Sequence, residues 1–157
     1  MSLEELKTLG RRITDELLNQ GDLTVAAELF DRCYIERVTA CQGCGSGSEG
    51  VQKLVTHLRR AFPDLHSRID DQIVDGQRLV QRITLSGTHL GRSFMGIPAT
   101  GDAITFTVAC IWSVDVQGKV REGWTYLDLQ VPASGQLFSA PFAAAEASAT
   151  QGASVTR

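Results

Sequence analysis

The spacing of apolar residues changes once along this chain, at Pro63, and this change restricts the folds that the chain can adopt. Before Pro63, apolar residues recur every three or four positions, which is typical of amphipathic helices. After Pro63 they alternate with polar residues, as they do in strands with one buried face. Helices followed by hairpin-connected strands predict an α+β domain with the helices on one face of an antiparallel sheet.

The first two helices have clear boundary residues. Ser2 and Glu5 form a capping box, in which each side chain accepts a hydrogen bond from the backbone of the other residue. Gly21 ends the first helix, because glycine readily adopts the left-handed conformation found at helix ends. Asp22 can then cap a short second helix that runs to Phe30.

The third helix is preceded by an extended segment, Tyr34–Val38, and by a loop rich in glycine and serine, Gly43–Gly47. Ser46 and Glu49 have the spacing of a second capping box, which predicts the start of this helix. Pro63 stops the helix, because proline has no amide hydrogen to donate.

Four strands are predicted from the alternation that follows. They are expected at Ser67–Asp75, Leu79–Thr88, Ile104–Val114 and Val120–Leu129. Asp75-Gly76 is a typical hairpin turn between the first two strands, and Gln117-Gly118 turns the chain between the last two.

The length of 157 residues fits a single domain, which we expect to span residues 1–132. Residues 133–157 consist mainly of small side chains that offer too little apolar area to offset chain entropy. Disorder is therefore expected from about residue 143. No signal peptide is visible at the N-terminus, which favours a cytoplasmic protein.

Composition argues against several classes of partner. Apolar residues make up 43% of the chain and charged residues 21%, without a run long enough to span a membrane. The net charge of −3 argues against a nucleic-acid-binding surface. Cys41 and Cys44 have a spacing seen in metal sites, but no histidine pair accompanies them, so neither a metal nor a cofactor is expected.

Two segments resemble the C-terminal half of SnoaL-like polyketide cyclases, namely His89-Leu-Gly-Arg-Ser-Phe-Met-Gly-Ile-Pro-Ala-Thr-Gly101 and Gly118-Lys-Val-Arg-Glu-Gly-Trp-Thr-Tyr-Leu-Asp128. The resemblance covers about residues 3–130. This family belongs to the superfamily that also holds ketosteroid isomerase and nuclear transport factor 2. The resemblance implies a cone-shaped barrel, in which three N-terminal helices pack on a curved antiparallel or mixed sheet around one apolar pocket.

The resemblance also locates the family's catalytic positions. The acid of the last strand falls on Thr125, the histidine on Cys110 and the nearby glutamine on Val108, so this chain lacks that catalytic set. The asparagine that follows the second helix falls on Glu36, in the part of the cone where ketosteroid isomerase carries its general base. Because desolvation makes a carboxylate a better base, Glu36 is the leading catalytic candidate.

Strand alternation identifies further candidates for the pocket. The inward face of Ile104–Val114 carries Phe106, Val108, Cys110 and Trp112. Cys110 and His89 are candidates to assist Glu36. The expected substrate-binding set also contains Tyr34, Phe94, Met95, Trp124 and Thr125. On the preceding strand, Gln81 is the odd polar member of an apolar face.

The leading interpretation is a cofactor-independent cyclase or isomerase that acts on a small hydrophobic, polyketide-like intermediate of secondary metabolism, such as antibiotic biosynthesis. One alternative is an epoxide hydrolase or epoxide-opening cyclase, which needs a pair of acids, with Asp128 as the second. Another is a non-catalytic ligand-binding or auxiliary subunit. A homodimer is expected through the outer face of the sheet, whose uncharged side chains are Thr105, Thr107, Ala109, Ile111 and Ser113.

Overall fold

The computed structural model describes residues 1–37, 45–94 and 96–130, with only the backbone for residues 129 and 130. The helices are α1 (Leu3–Arg12), α2 (Thr24–Leu29) and α3 (Gly47–Ala61), and the strands are β1 (Phe30–Glu36), β2 (His66–Asp75), β3 (Arg78–Thr88), β4 (Ala103–Val114) and β5 (Val120–Gln130). The expected C-terminal segment 133–157, together with Met95, Cys41 and Cys44, lies outside the described residues.

The first helix begins as its sequence predicts and continues in a different form. The Ser2 amide donates to Glu5 Oε2 at 2.6 Å, and the Glu5 amide donates to Ser2 Oγ at 3.2 Å, which confirms the capping box. After α1 the chain passes directly into a π-helical turn, Ile13–Asn19, which the apolar spacing did not predict. None of the helices in the described ranges is long and apolar enough to cross a membrane.

The start of α3 differs from the prediction. Ser46 occupies the N-cap position, but its side chain makes no capping hydrogen bond. The chain instead enters the helix through Gly47, whose φ is +73°. A β-carbon at Gly47 would collide with the backbone oxygen of Arg32 in β1. Close approach of α3 to β1 therefore fixes this helix start, rather than the capping box predicted from Ser46.

The five strands form one mixed sheet in the order β1-β5-β4-β3-β2. The predicted antiparallel meander of β2 to β5 is confirmed, and β1 pairs in parallel with β5 at the far edge. This is the α+β arrangement expected of the cone fold. The sheet is open, with β1 and β2 as its edges, so the expected barrel is not closed in the described part of the chain.

The helices cover the inner face of this sheet unevenly. α1 packs on β2 and β3, while α3 packs on β1. Gln81 of β3 lies against Gly10 of α1 and is 0% exposed. On β4 and β5, between those areas, the inward-facing side chains of Val108, Thr125 and Leu127 are only half-buried. Together with Cys110 these residues form a strip that we call the inner floor.

Candidate active site

Glu36, the last residue of β1, lies at the edge of the inner floor. Its Oε2 accepts hydrogen bonds from the Tyr34 hydroxyl at 2.7 Å and from Thr125 Oγ1 at 3.1 Å. Its Oε1 accepts from the Thr125 amide at 3.1 Å. Because the Thr125 side chain faces inward beside Cys110, the carboxylate of Glu36 lies on the inner face of the sheet and not on its outer surface.

Tyr34 supports this carboxylate from the buried side. Its side chain is 3% exposed, and both burial and the negative charge of Glu36 raise the pKa of the phenol. The phenol therefore stays protonated and donates to Glu36. Gly123 makes room for it, since a β-carbon at Gly123 would collide with the Tyr34 hydroxyl and lie 2.9 Å from Trp112 Cδ1.

Cys110 lies in the middle of the floor as a neutral thiol. Its Sγ is 3.8 Å from Thr125 Oγ1. Burial, with a smaller contribution from the charge of Glu36, raises the pKa of Cys110 to about 12. A thiol with so high a pKa is not a nucleophile near neutral pH, because only the thiolate attacks. The site therefore offers Cys110 as a small, weakly polar surface.

Gln81 faces inward from β3. It is the polar residue on an otherwise apolar strand face, and it was not among the predicted site residues. It pairs with Cys110 across β3 and β4, and its side chain is fully buried. Among the described residues, neither its amide oxygen nor its amide nitrogen has a hydrogen-bond partner. The sequence shows that Gln81 is a polar residue on an apolar strand face. That its side-chain amide lacks hydrogen-bond partners can be seen only in the folded structure.

Cross-strand pairing aligns these polar residues in one row. Gln72 pairs with Gln81, Gln81 with Cys110, and Cys110 with Thr125. Glu36 adjoins the row through its hydrogen bonds to Thr125. We call these four paired residues the polar row. The polar row crosses the inner face of the sheet from Gln72, which lies under α1, to Thr125, which binds Glu36.

His89 lies apart from this row. It is fully buried, its amide donates to the Asp102 carbonyl at 2.9 Å, and its carbonyl accepts from the Gly101 amide at 2.9 Å. Its Nε2 lies 3.0 Å from the Arg92 carbonyl. His89 lies eight positions beyond Gln81 along the chain. Because a strand rises about 3.3 Å per residue, the two residues lie roughly 25 Å apart. The structure does not bring His89 near Glu36.

Two of the expected substrate-binding residues belong to an aromatic cluster at the His89 end. The rings of Phe62 and Phe94 have centroids 5.2 Å apart, and those of Phe94 and Phe106 are 6.0 Å apart. The His89 ring lies 5.2 Å from Phe62. This cluster forms packed core at one end of β4, whereas Val108 and Thr125 lie on the inner floor.

Trp124 lies on the opposite face of the sheet from the floor. It pairs with Ile111 of β4, whose side chain points outward, while its neighbour Thr125 points inward. Alternation places Trp124 on the outer surface, so the structure does not bring it to the inner floor with the other expected pocket residues. Trp112 does face inward, is 5% exposed and packs beside Tyr34 and Gly123.

Two open clefts of about 350 Å³ each lie elsewhere on the molecule. One is lined by residues of α3 and the other by residues around the N-terminus. Neither includes Glu36 or the floor. In residues 1–37, 45–94 and 96–130, no group of three or more histidine, cysteine, aspartate or glutamate side chains is arranged to hold a metal ion.

The family model of SnoaL-like polyketide cyclases matches residues 8–135. The chain belongs to this family. No curated protein matches it significantly. The part of the chain that this family model covers contains both β1 with Glu36 and the complete inner floor.

Solved structures share this fold. TsrD from Streptomyces laurentii has a TM-score of 0.73 and 22% sequence identity, over 82% of this chain and 91% of that one. A SnoaL-like polyketide cyclase from Agrobacterium tumefaciens has a TM-score of 0.64 and 22% identity, over 78% and 91%. AclR from Streptomyces galilaeus, a proposed hydroxylase, has a TM-score of 0.68 and 26% identity, over 82% of both chains.

Proposed function

We propose that this member of the family is a cofactor-independent cyclase or isomerase that acts on a small, apolar, polyketide-like intermediate of secondary metabolism. The observation that carries the proposal is the inward-facing carboxylate of Glu36, half-buried beside a floor of otherwise neutral side chains. A carboxylate placed next to an apolar surface is suited to remove a proton from carbon. Family membership supports the general class of reaction.

In the proposed reaction, Glu36 removes a proton from the carbon next to a substrate carbonyl, and the electron pair moves onto that carbonyl to give an enolate. In a cyclisation, the enolate carbon attacks a second carbonyl carbon of the same molecule. A carbon–carbon bond forms, the second carbonyl becomes an alkoxide, and this oxygen takes the proton back from Glu36. In an isomerisation, the proton returns to another carbon of the conjugated system. Both routes regenerate the carboxylate.

The residues around Glu36 hold its carboxylate in place and shape the substrate. Tyr34 and Thr125 orient the carboxylate through three hydrogen bonds. Val108 and Leu127 provide an apolar surface on which a flexible substrate can fold. Bringing two reacting groups of one molecule together in this way accounts for a large part of the rate of such reactions.

The experiment uses exchange of the α-protons of 2-tetralone in D₂O, followed by proton NMR, because exchange reports proton removal for any suitable ketone. The Glu36→Gln variant should exchange about 100- to 10,000-fold more slowly than the wild type, with little change in melting temperature. Glu122→Gln is the matched control, since Glu122 pairs with Arg37 beside the same edge of the sheet. An E36Q variant that keeps more than half of the wild-type rate would remove Glu36 from the mechanism.

The same assay separates the alternatives. An epoxide hydrolase needs a second acid near Glu36, but Asp128 pairs with Thr107 on the outer face and is exposed. A non-catalytic binding subunit would bind 2-tetralone without exchanging its protons. This result is expected if replacement of the family's catalytic residues by Thr125, Cys110 and Val108 has abolished catalysis.

A further inference from the structure

We propose that Gln81 is a substrate-binding residue, whose side-chain amide holds a second oxygen of the substrate, remote from the carbon that loses its proton. The inference rests on the proposed function, because it takes the inner floor as the place where the substrate lies. It adds a requirement on the substrate, which must carry an oxygen at some distance from the reacting ketone.

The first observation is the unsatisfied amide itself. Gln81 is 0% exposed, and neither Oε1 nor Nε2 has a partner among the described residues. Buried amides are nearly always hydrogen-bonded, because the loss of their hydration is otherwise uncompensated. An amide buried in this way is a ready donor and acceptor for a ligand oxygen.

The second observation is the close packing of this amide against α1. Gly10 of α1 faces it, and a β-carbon there would lie 2.6 Å from Nε2 of both Gln81 and Gln72. A glycine inside a helix is less favourable than alanine, so its position at this contact has a steric reason. The Gln72 amide is already engaged, since its Nε2 donates to the Lys7 carbonyl at 3.2 Å.

The third observation is the position of Gln81 relative to Glu36. Gln81 adjoins Cys110, which is still 5% exposed, and Cys110 adjoins Thr125, which binds the Glu36 carboxylate. Neighbouring strands lie about 4.8 Å apart, so β3 and β5 are separated by roughly 10 Å at the backbone. A substrate about the length of two fused six-membered rings spans from the carboxylate to the amide across the floor.

Glu36 and Gln81 therefore have different tasks. Glu36 is charged and moves the proton, whereas Gln81 is neutral and can accept a hydrogen bond from a hydroxyl or donate one to a carbonyl. A polyketide-like chain with oxygens at both ends would be held at one end by Gln81 while its other end reacts at Glu36.

The test compares two ligands that differ by one oxygen, 6-hydroxy-2-tetralone and 2-tetralone, by isothermal titration calorimetry. The wild type should bind the hydroxylated ligand about tenfold more tightly, which is the usual net effect of one hydrogen bond. In Gln81→Met, which keeps the side-chain length, this preference should disappear while 2-tetralone binding persists. Its melting temperature should not fall, because the amide removed has no protein partner. Gln81→Leu provides the same test if Q81M does not fold.

Gln72→Met is the matched control on the same row. It loses the bond to Lys7 and should melt at a lower temperature, but it should keep the tenfold preference. Glu36→Gln should also keep the preference while losing exchange, so failure of the base and failure of the Gln81 contact give different results. The Gln81 proposal is overturned if the wild type shows no preference, if Q81M retains it, or if E36Q abolishes it instead.

Discussion

Two neighbouring rows of side chains cross the sheet, one on each face. The row on the inner face is polar, and the row on the outer face is apolar. The polar row on the inner face consists of Gln72, Gln81, Cys110 and Thr125. The row one residue along, on the outer face, consists of Ile73, Val80, Ile111 and Trp124. In an α+β domain with helices on one side, the inner face is ordinarily apolar and the outer face polar. In these two rows the inward-facing residues are polar and the outward-facing residues are apolar.

The inversion separates two kinds of binding surface on one set of strands. The polar row adjoins Glu36 through Thr125 and shares Cys110 and Thr125 with the inner floor, which suits a small ligand with oxygens. In the outer row Ile73 is 63% exposed, and nearby Tyr126 is 53% exposed. An apolar row on an open sheet face is typical of a protein–protein contact, and we expect a second copy of the chain to cover it.

The largest effect should come from a charge placed in the outer row. In Ile111→Glu an unpaired carboxylate would have to be buried in the dimer contact, at a cost of at least about 3 kcal/mol, or more than about 100-fold in the dissociation constant. Light scattering should then find the wild type at twice the mass of one chain and the variant at the mass of one chain.

Val116→Glu is the control for this prediction, because Val116 is 87% exposed in the turn between β4 and β5 and lies outside the outer face of the sheet. It should remain dimeric. A wild type that scatters as a single chain at micromolar concentration would show that the outer row has another partner or none.

A smaller effect is expected from Cys110 in the inner row. The folded thiol has its pKa raised to about 12 from an ordinary value of 9.0. Between these values the unfolded chain has lost a proton that the folded chain keeps, so this group's contribution to stability falls as pH rises. From pH 8 to pH 10, urea unfolding of the wild type should lose about 1.4 kcal/mol relative to Cys110→Ala. An unchanged difference between the two proteins would mean that the thiol ionises normally in the fold.

Much of the strand layout could be predicted from local sequence. Alternation and the turn residues placed β2 to β5 within one residue of their observed ends. The same rule would have placed Trp124 outward, because Thr125 was assigned inward and neighbouring strand residues point to opposite faces. The capping box at Ser2 was correct because both partners lie within one turn.

Long-range features could not be predicted in this way. The parallel pairing of β1 with β5 joins Phe30 to Val120, and no local pattern specifies a partner so far along the chain. The inward position of Glu36 came from the family resemblance and not from its own periodicity. Gln81 was noticeable as a polar residue on an apolar face, but its unsatisfied amide depends on packing against Gly10.

The most direct test of the inner floor as the active site is the map of amide chemical-shift changes in ¹⁵N-labelled protein titrated with 2-tetralone. The largest changes should occur at Val108, Cys110, Thr125 and Leu127, with those around His89 close to zero. Changes concentrated around His89 and Phe94, or in the cleft on α3, with the floor unaffected, would contradict the assignment of the active site to this face of the sheet.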